Sequence, residues 1–479
     1  MSKKKIFFPK SGLQPDGLMR QMAEQRDGDL KWQDGKAFSL MYYPGEEKEK
    51  FIQEAFNMYF AENALNPMTF PSLRKMETEV ISMVADLMGG DELVRGSFTS
   101  GGTESILLAV KSARDHARKL HPEIKYPEMV LPATAHPSIV KSLHYFDIKG
   151  VFVPVKNDFT ADSLAMEKAI TKNTIMLMAS APSYPHGVID PVAEIAAMAE
   201  KKGIWLHVDA CIGFILPFIK KLGYEIPEFD LSLPGVTSLS TDIHKYGYAP
   251  KGASVVLYRN TELRRNQFTV YTDWPGGIYG SLTMAGSRPG GTIAAAWAAI
   301  KGIGEDGYME MAERTMQTTN KIREFVDGHP ELEIMGGPPM SILAFTSNSL
   351  DVFELADELS IKGWHFDRLC SPPGIHLTIT QMHDKVVDEF LGDLQLAVAS
   401  AKQFKMQDVA RTVKIEVLKR LARLLPEGAI AKVQAQFSGK AATESERTAP
   451  IYGMLGALSG TEDLDEIITN LLDKLNSPE

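Results

Sequence analysis

The chain has 479 residues and is 44% hydrophobic, enough for two or three domains around a large core. Its 51 basic residues against 61 acidic ones leave a net charge of −10, which argues against a general nucleic-acid binder. Only Cys211 and Cys370 are present, which argues against a disulfide framework and suits a reducing compartment.

The first residues, "MSKKKIFFPK", are basic, but their apolar run is too short for a secretory signal. No stretch approaches the roughly 20 apolar residues that span a bilayer, so the expectation is a soluble, cytoplasmic protein. Residues 1–71 read as a mixed N-terminal segment with helical patches around 51–61. From 72 to 306, short β-rich runs alternate with helical stretches. Strand candidates are "EMVL" (128–131), "VFVPV" (151–155), "TIMLMAS" (174–180), "WLHVDA" (205–210) and "SVVLYR" (254–259). Helix candidates such as 103–120 and 192–202 lie between them. Strands separated by helices predict βαβ units, and so an α/β large domain on a mostly parallel sheet. Residues 307–479 read as a smaller C-terminal α+β domain with a short strand near 340–345. Within it, 401–424 is amphipathic, with seven Lys or Arg against Asp408 and Glu416. Such a helix more often packs on its own protein than on a membrane surface. The following "PEGAIAKVQAQFSGKAATESERT" is loop-rich. No internal repeat and no long linker stand out.

Three features carry chemistry. "TSGGTES" (99–105) leads into a helix pattern, and glycines before a helix N-terminus let backbone N–H groups approach an anion. Alone, this is a common turn. "HVDAC" (207–211) ends an apolar strand with Asp209, where an open α/β sheet binds ligands; an isolated aspartate there is more often a cap or an ion-pair partner. "STDIHKYGYAPKG" (240–252) holds Lys245 and Lys251. A partly desolvated lysine has a depressed pKa and can condense with an aldehyde. The order of phosphate turn, strand-end acid and His-Lys suits pyridoxal phosphate, which needs a place for its phosphate, an acid at its ring nitrogen and an amine at its aldehyde. No metal-ligand set is expected.

The sequence resembles the sphingosine-1-phosphate lyase family, a group of fold-type I pyridoxal-phosphate enzymes related to the group II decarboxylases. The matching stretches are "TSGGTESILLAVKSARD", "YPHGVIDP", "LHVDACIG", "TDIHKYGYAPKGASVVLYRN", "YTDWPGGIYGSLTMAGSRPGG" and "IYGMLG". They run in family order over roughly residues 40–400 and resume from Pro450. The resemblance implies that Lys245 holds pyridoxal 5'-phosphate covalently. His244 would contact its phosphate, with Gly101, Gly102 and Thr103 forming the phosphate cup. Asp209 would pair with the ring nitrogen, and His136 in "ATAHPSIV" would stack on the ring. Lys251 matches the family's substrate-phosphate lysine, and Tyr42 or Tyr43 its entrance tyrosines. "GSRPGG" (286–291) would close the site across the interface of a homodimer.

The implied reaction is retro-aldol cleavage of a phosphorylated long-chain amino alcohol to a fatty aldehyde and phosphoethanolamine. Lys245, once freed, is a candidate proton shuttle. The chain departs from the family at "NALNPMTF", where Asn66 replaces a histidine near the substrate phosphate and Met68 an acid. Asparagine donates a hydrogen bond but carries no charge. An extra segment lies near 402–449, and no counterpart of the membrane anchor of eukaryotic members is expected. The main alternative is an amino-acid decarboxylase using the same cofactor apparatus. A non-catalytic interaction protein on this scaffold is disfavoured, because Lys245 and Asp209 are both intact.

Overall fold

The computed structural model describes residues 6–404, 447–449, 452, 460 and 462–476. The amphipathic stretch beyond residue 404 and most of the extra segment lie outside the described residues.

Seven strands form the main sheet: β1 (Arg95–Thr99), β2 (Glu128–Pro132), β3 (Lys149–Val153), β4 (Thr174–Ser180), β5 (Trp205–Asp209), β6 (Ser238–Asp242) and β7 (Ser254–Tyr258). Their order is β1-β7-β6-β5-β4-β2-β3. Only the β7 pairings are antiparallel, so the sheet is mostly parallel, as expected. Because β7 reverses direction twice, β1 runs with the parallel strands. The carboxyl ends of β1, β2, β4, β5 and β6 therefore meet along one edge, where open α/β sheets bind ligands.

Helices cover both faces. Gly102–Leu120 follows β1 and buries Ile106, Leu108, Val110 and Ala113 against Val256 and Tyr258. Val192–Lys202 buries Val192, Ile195, Ala196 and Ala199 on the other side. It stops at Gly203, whose φ of 63° is the left-handed conformation that glycine adopts without Cβ strain. The strand expected at 151–155 begins two residues earlier, on an edge strand whose outer residues meet solvent.

Strands β1 and β6 went unread. Both are rich in Ser and Thr yet buried, and neighbouring side chains satisfy most of their hydroxyls, Thr241 being the exception. Ser238 Oγ meets Trp205 Nε1 and His207 Nδ1, each at 2.8 Å, and Ser240 Oγ meets His207 Nε2 at 3.2 Å. A polar group can enter a core once hydrogen-bonded, and hydropathy alone does not register that.

Two further strands, β8 (Thr269–Trp274) and β9 (Gly277–Ser281), make an almost wholly exposed hairpin. Two helices then run through Gly290–Gly328 and meet at a kink at Gly304, whose φ is 67°, a few residues before the expected boundary at 307. Beyond it, β10 (Glu333–Ile334), β11 (Ile342–Thr346), β12 (Asp367–Cys370) and β13 (Pro373–Thr378) form an antiparallel sheet in the order β10-β11-β13-β12. A second core gathers there around Phe345, Leu355, Ile375 and Phe390. Phe38, from the N-terminal segment, joins this core and stacks on His383 at 4.2 Å. Both cysteines are free. No helix of the described residues is long and apolar enough to cross a membrane.

Candidate active site

The carboxyl edge of the sheet opens into a cavity of about 390 Å³. It is lined from several elements by Gly101, Gly102 and Thr103, by His136, Asp209 and His244, and by Lys245 and Lys251. The structure thus brings together eight of the residues expected at the site from five separate stretches of chain.

The anion end is built by the start of the helix Gly102–Leu120. It has no side-chain N-cap, so its first N–H groups keep donors free for a ligand, and its dipole favours negative charge. Gly101 has φ 152°, and a Cβ on Gly102 would stand 2.5 Å from Cys211 Sγ and 3.0 Å from Asp242 Oδ2. A side chain at residue 102 has nowhere to go. Glu104 fastens the turn: its Oε2 accepts the Ser100 N–H and hydroxyl, each at 2.7 Å. Its Oε1 accepts the Met284 N–H at 2.8 Å.

Lys245 follows β6 and is half-buried, with its Nζ 3.0 Å from Asp242 Oδ2. His244 Nε2 stands 3.6 Å from the same oxygen. His244 Nδ1 accepts the Ala253 N–H at 3.2 Å, which leaves the ring proton on Nε2, facing Asp242. Asp242 was missed by sequence reasoning, although it lies three residues before Lys245 in the quoted motif. Its effect corrects the expectation of a depressed lysine. Burial acts to lower the Lys245 pKa, but the attraction of Asp242, backed by Cys211 and Asp209, outweighs it and raises the pKa above the ordinary value. Asp242 is itself held low: its burial opposes ionisation, and Lys245 and His244 overcome that. Its Oδ1 has no hydrogen-bond partner, an orphan in a wall that faces the cavity.

Asp209 ends β5, and its Oδ1 accepts the Cys211 N–H at 3.0 Å. His136 Nδ1 accepts the Ser138 N–H at 3.2 Å and meets the Ser138 hydroxyl at 2.8 Å, which fixes the ring. Lys251 is exposed, yet its Nζ is crowded by the Leu40 carbonyl at 3.0 Å and the Tyr42 ring at 5.0 Å. Loss of water around the amine, then the nearby Lys245 charge, lower its pKa to about 8.

Of the two tyrosine candidates, Tyr42 belongs to this neighbourhood. It packs edge-on to Tyr246 at 5.0 Å, and burial, then the Asp242 charge, keep it protonated. Tyr43 turns away to pack on Trp32 at 5.4 Å. Asn66 is not at the cavity of its own chain: it is exposed, and its Oδ1 closes a turn with the Met68 N–H at 2.9 Å. Its loop is tied to "GSRPGG", since Ala64 N–H donates to the Arg288 carbonyl and Gly290 N–H to that of Glu62. Tyr184, Glu104, Ser180 and Cys211 also line the cavity. Tyr184 stood inside the quoted "YPHGVIDP", but nothing in its spacing marks it.

An uncapped helix N-terminus, a strand-end carboxylate and a half-buried lysine on one cavity fit a phosphorylated aldehyde cofactor with a basic ring nitrogen. Residues 30–348 match the family model described as "Pyridoxal-dependent decarboxylase conserved domain". The protein is a pyridoxal-phosphate-dependent enzyme of fold type I, and its cofactor is pyridoxal phosphate. It is 46% identical to a sphingosine-1-phosphate lyase of Arabidopsis thaliana, over 80% of this chain and 72% of that one. A solved sphingosine-1-phosphate lyase of Burkholderia pseudomallei superposes with a TM-score of 0.80 at 37% identity, covering 88% of this chain and 98% of that one. A probable L-aspartate decarboxylase of Pyrococcus furiosus is more distant, at 34% over 74% of this chain and 94% of that one. The chain belongs to the sphingosine-1-phosphate lyase family.

Replacing Asp242 by Asn removes the charge that holds Lys245 as an ammonium. Amine labelling of the cofactor-free protein across pH, read at Lys245 by mass spectrometry, should then show its reactivity rising at lower pH than in the wild type. An unchanged profile would contradict the pairing.

Proposed function

We propose that the protein cleaves sphingosine-1-phosphate, or a similar phosphorylated long-chain amino alcohol, to a fatty aldehyde and phosphoethanolamine. The observation that carries this reading is the second lysine. Lys251 sits on the wall that holds Lys245, and its separately anchored amine is poised to meet a phosphate dianion. A decarboxylase substrate has no phosphate to occupy it.

When bound, pyridoxal phosphate supplies the electron sink for negative charge at the carbon that bears the amine. The chain does the rest. The Gly101–Gly102–Thr103 turn and His244 would hold the cofactor phosphate, Asp209 would pair with its ring nitrogen, and His136 would stack on the ring. Lys245 would hold the cofactor at its aldehyde carbon and, as a free amine, would carry protons. Lys251 anchors the substrate phosphate beside Tyr42, which orients the bond to be broken.

The protein acts, on this reading, as a cytoplasmic homodimer. Support for the second copy comes from the β8–β9 hairpin and the Asn66 loop. They expose the large apolar side chains Val270, Trp274, Ile278 and Met68, with Ile278 82% and Met68 74% accessible, and exposed apolar surface of this kind favours a partner. Asn66 would then serve the partner's site, with no charge to offer its phosphate. Ile278→Asp should shift the protein toward monomer in sedimentation; an unaltered dimer, or a wild-type monomer, would contradict this interface.

Lys251→Ala should lower kcat/KM for the phosphorylated amino alcohol about 10- to 100-fold, the worth of a charged hydrogen bond, and leave the unphosphorylated amine little changed. Because Lys251 is cationic below about pH 8, wild-type kcat/KM for the phosphorylated substrate should fall as pH rises through that value. Equal losses on both substrates would remove its phosphate role. Carbon dioxide released from an amino acid, with no aldehyde from the phosphorylated substrate, would establish the decarboxylase instead.

A further inference from the structure

Tyr184 reaches the cavity from the loop after β4, yet it is held by the second sheet. Its hydroxyl donates to Asp367 Oδ2 at the start of β12. In the antiparallel β12–β13 pair, Asp367 stands opposite His376, so the two side chains share a face. The His376 ring lies against the Tyr184 ring with centroids 4.4 Å apart and planes at 31°. His376 Nδ1 lies 3.1 Å from the Pro185 carbonyl, and its Nε2 lies 3.2 Å from the Thr378 hydroxyl. A carbonyl only accepts, so Nδ1 carries the proton and Nε2 accepts from Thr378. Burial keeps the ring neutral by lowering its pKa. The cross-strand pair is therefore a socket: Asp367 accepts the phenol's hydrogen bond and His376 takes the face of its ring.

A phenol has one proton to give. We infer that Asp367 is a positioning residue that claims this proton and so presents the Tyr184 oxygen to the cavity as a hydrogen-bond acceptor for the substrate's hydroxyl. Burial and then the Asp367 charge raise the Tyr184 pKa above its ordinary value, so the oxygen meets the substrate as a phenol and not as a phenolate. An acceptor at this place suits an amino alcohol, whose hydroxyl must be steered before its carbon–carbon bond breaks. It is mismatched to a carboxylate, which offers no proton. This inference rests on the lyase reading and adds to it a group that selects the hydroxyl.

The test uses the full-length, cofactor-loaded protein with Asp367→Ala, Asp367→Asn, Tyr184→Phe and the double variant Asp367→Ala/Tyr184→Phe. Cleavage kinetics are measured on sphingosine-1-phosphate. Binding is measured by cofactor absorbance with a phosphorylated long-chain amine that lacks the hydroxyl. Asp367→Ala should lower kcat about 100-fold, the cost of a misplaced reacting group, with cofactor content and binding of the deoxy amine unchanged. Asp367→Asn, which keeps an acceptor oxygen, should recover to within about tenfold of wild type. In the Tyr184→Phe background, Asp367→Ala should cost nothing further, since the pair acts as one unit. Wild-type kcat in Asp367→Ala, losses that multiply in the double variant, or equally weakened binding of the deoxy amine would each overturn the inference. No cleavage by the wild-type protein would overturn the lyase reading and this inference with it.

Discussion

A carboxylate almost cut off from water holds the centre of this protein's chemistry. Asp242 is 2% exposed and stands within 3.0 Å of the Lys245 amine. A buried charge survives only when paired and hydrogen-bonded, so Asp242 dictates where Lys245 and His244 point. It also dictates why residue 102 is glycine, since any Cβ there would press on Asp242 and Cys211. The phosphate turn and the reactive lysine, more than a hundred residues apart in sequence, are thus registered against one buried group. With the amine held as an ammonium, it must give up a proton before it can attack a carbonyl carbon.

The second sheet contributes in another way. Its core is separate, around Phe345 and Phe390, yet it reaches the cavity through Asp367 and His376, which grip Tyr184. Arg368, the neighbour of Asp367, points the other way along β12 and pairs with buried Asp357 at 2.8 Å. Asp357 also receives the N–H groups of Thr448 and Ala449, at 2.7 and 2.8 Å. Tyr452, close behind, lies under the Arg368 guanidinium at 4.9 Å and against Phe353. Thr448, Ala449 and Tyr452 are thereby tied to the small sheet, which in turn holds the cavity wall through Tyr184. Such fixed support is what a bond-aligning enzyme requires, because catalytic geometry tolerates little displacement.

Much of this was legible in the sequence, for reasons that also explain what was not. β4, β5 and the helix Val192–Lys202 were readable because apolar runs and 3.6-residue periodicity report directly on burial. β6 was not, because its serines are buried through hydrogen bonds supplied by Trp205 and His207 on another strand. Lys245, His244 and Asp209 were legible through motif order. Asp242 lay in the same motif, but its role depends on a distance of 3.0 Å that a linear reading does not supply, and so the sign of the Lys245 shift was misjudged. The Tyr184–Asp367 contact joins residues 183 apart, where no spacing rule applies. Asn66 was expected near a substrate phosphate, and its own chain instead leaves it exposed, with its Oδ1 closing a turn on the Met68 N–H.

The account turns on which amine takes the cofactor. Cofactor-loaded protein reduced with borohydride, digested and sequenced by mass spectrometry should carry one pyridoxyl phosphate adduct, on Lys245. An adduct on Lys251, or none on either lysine, would contradict the site as described.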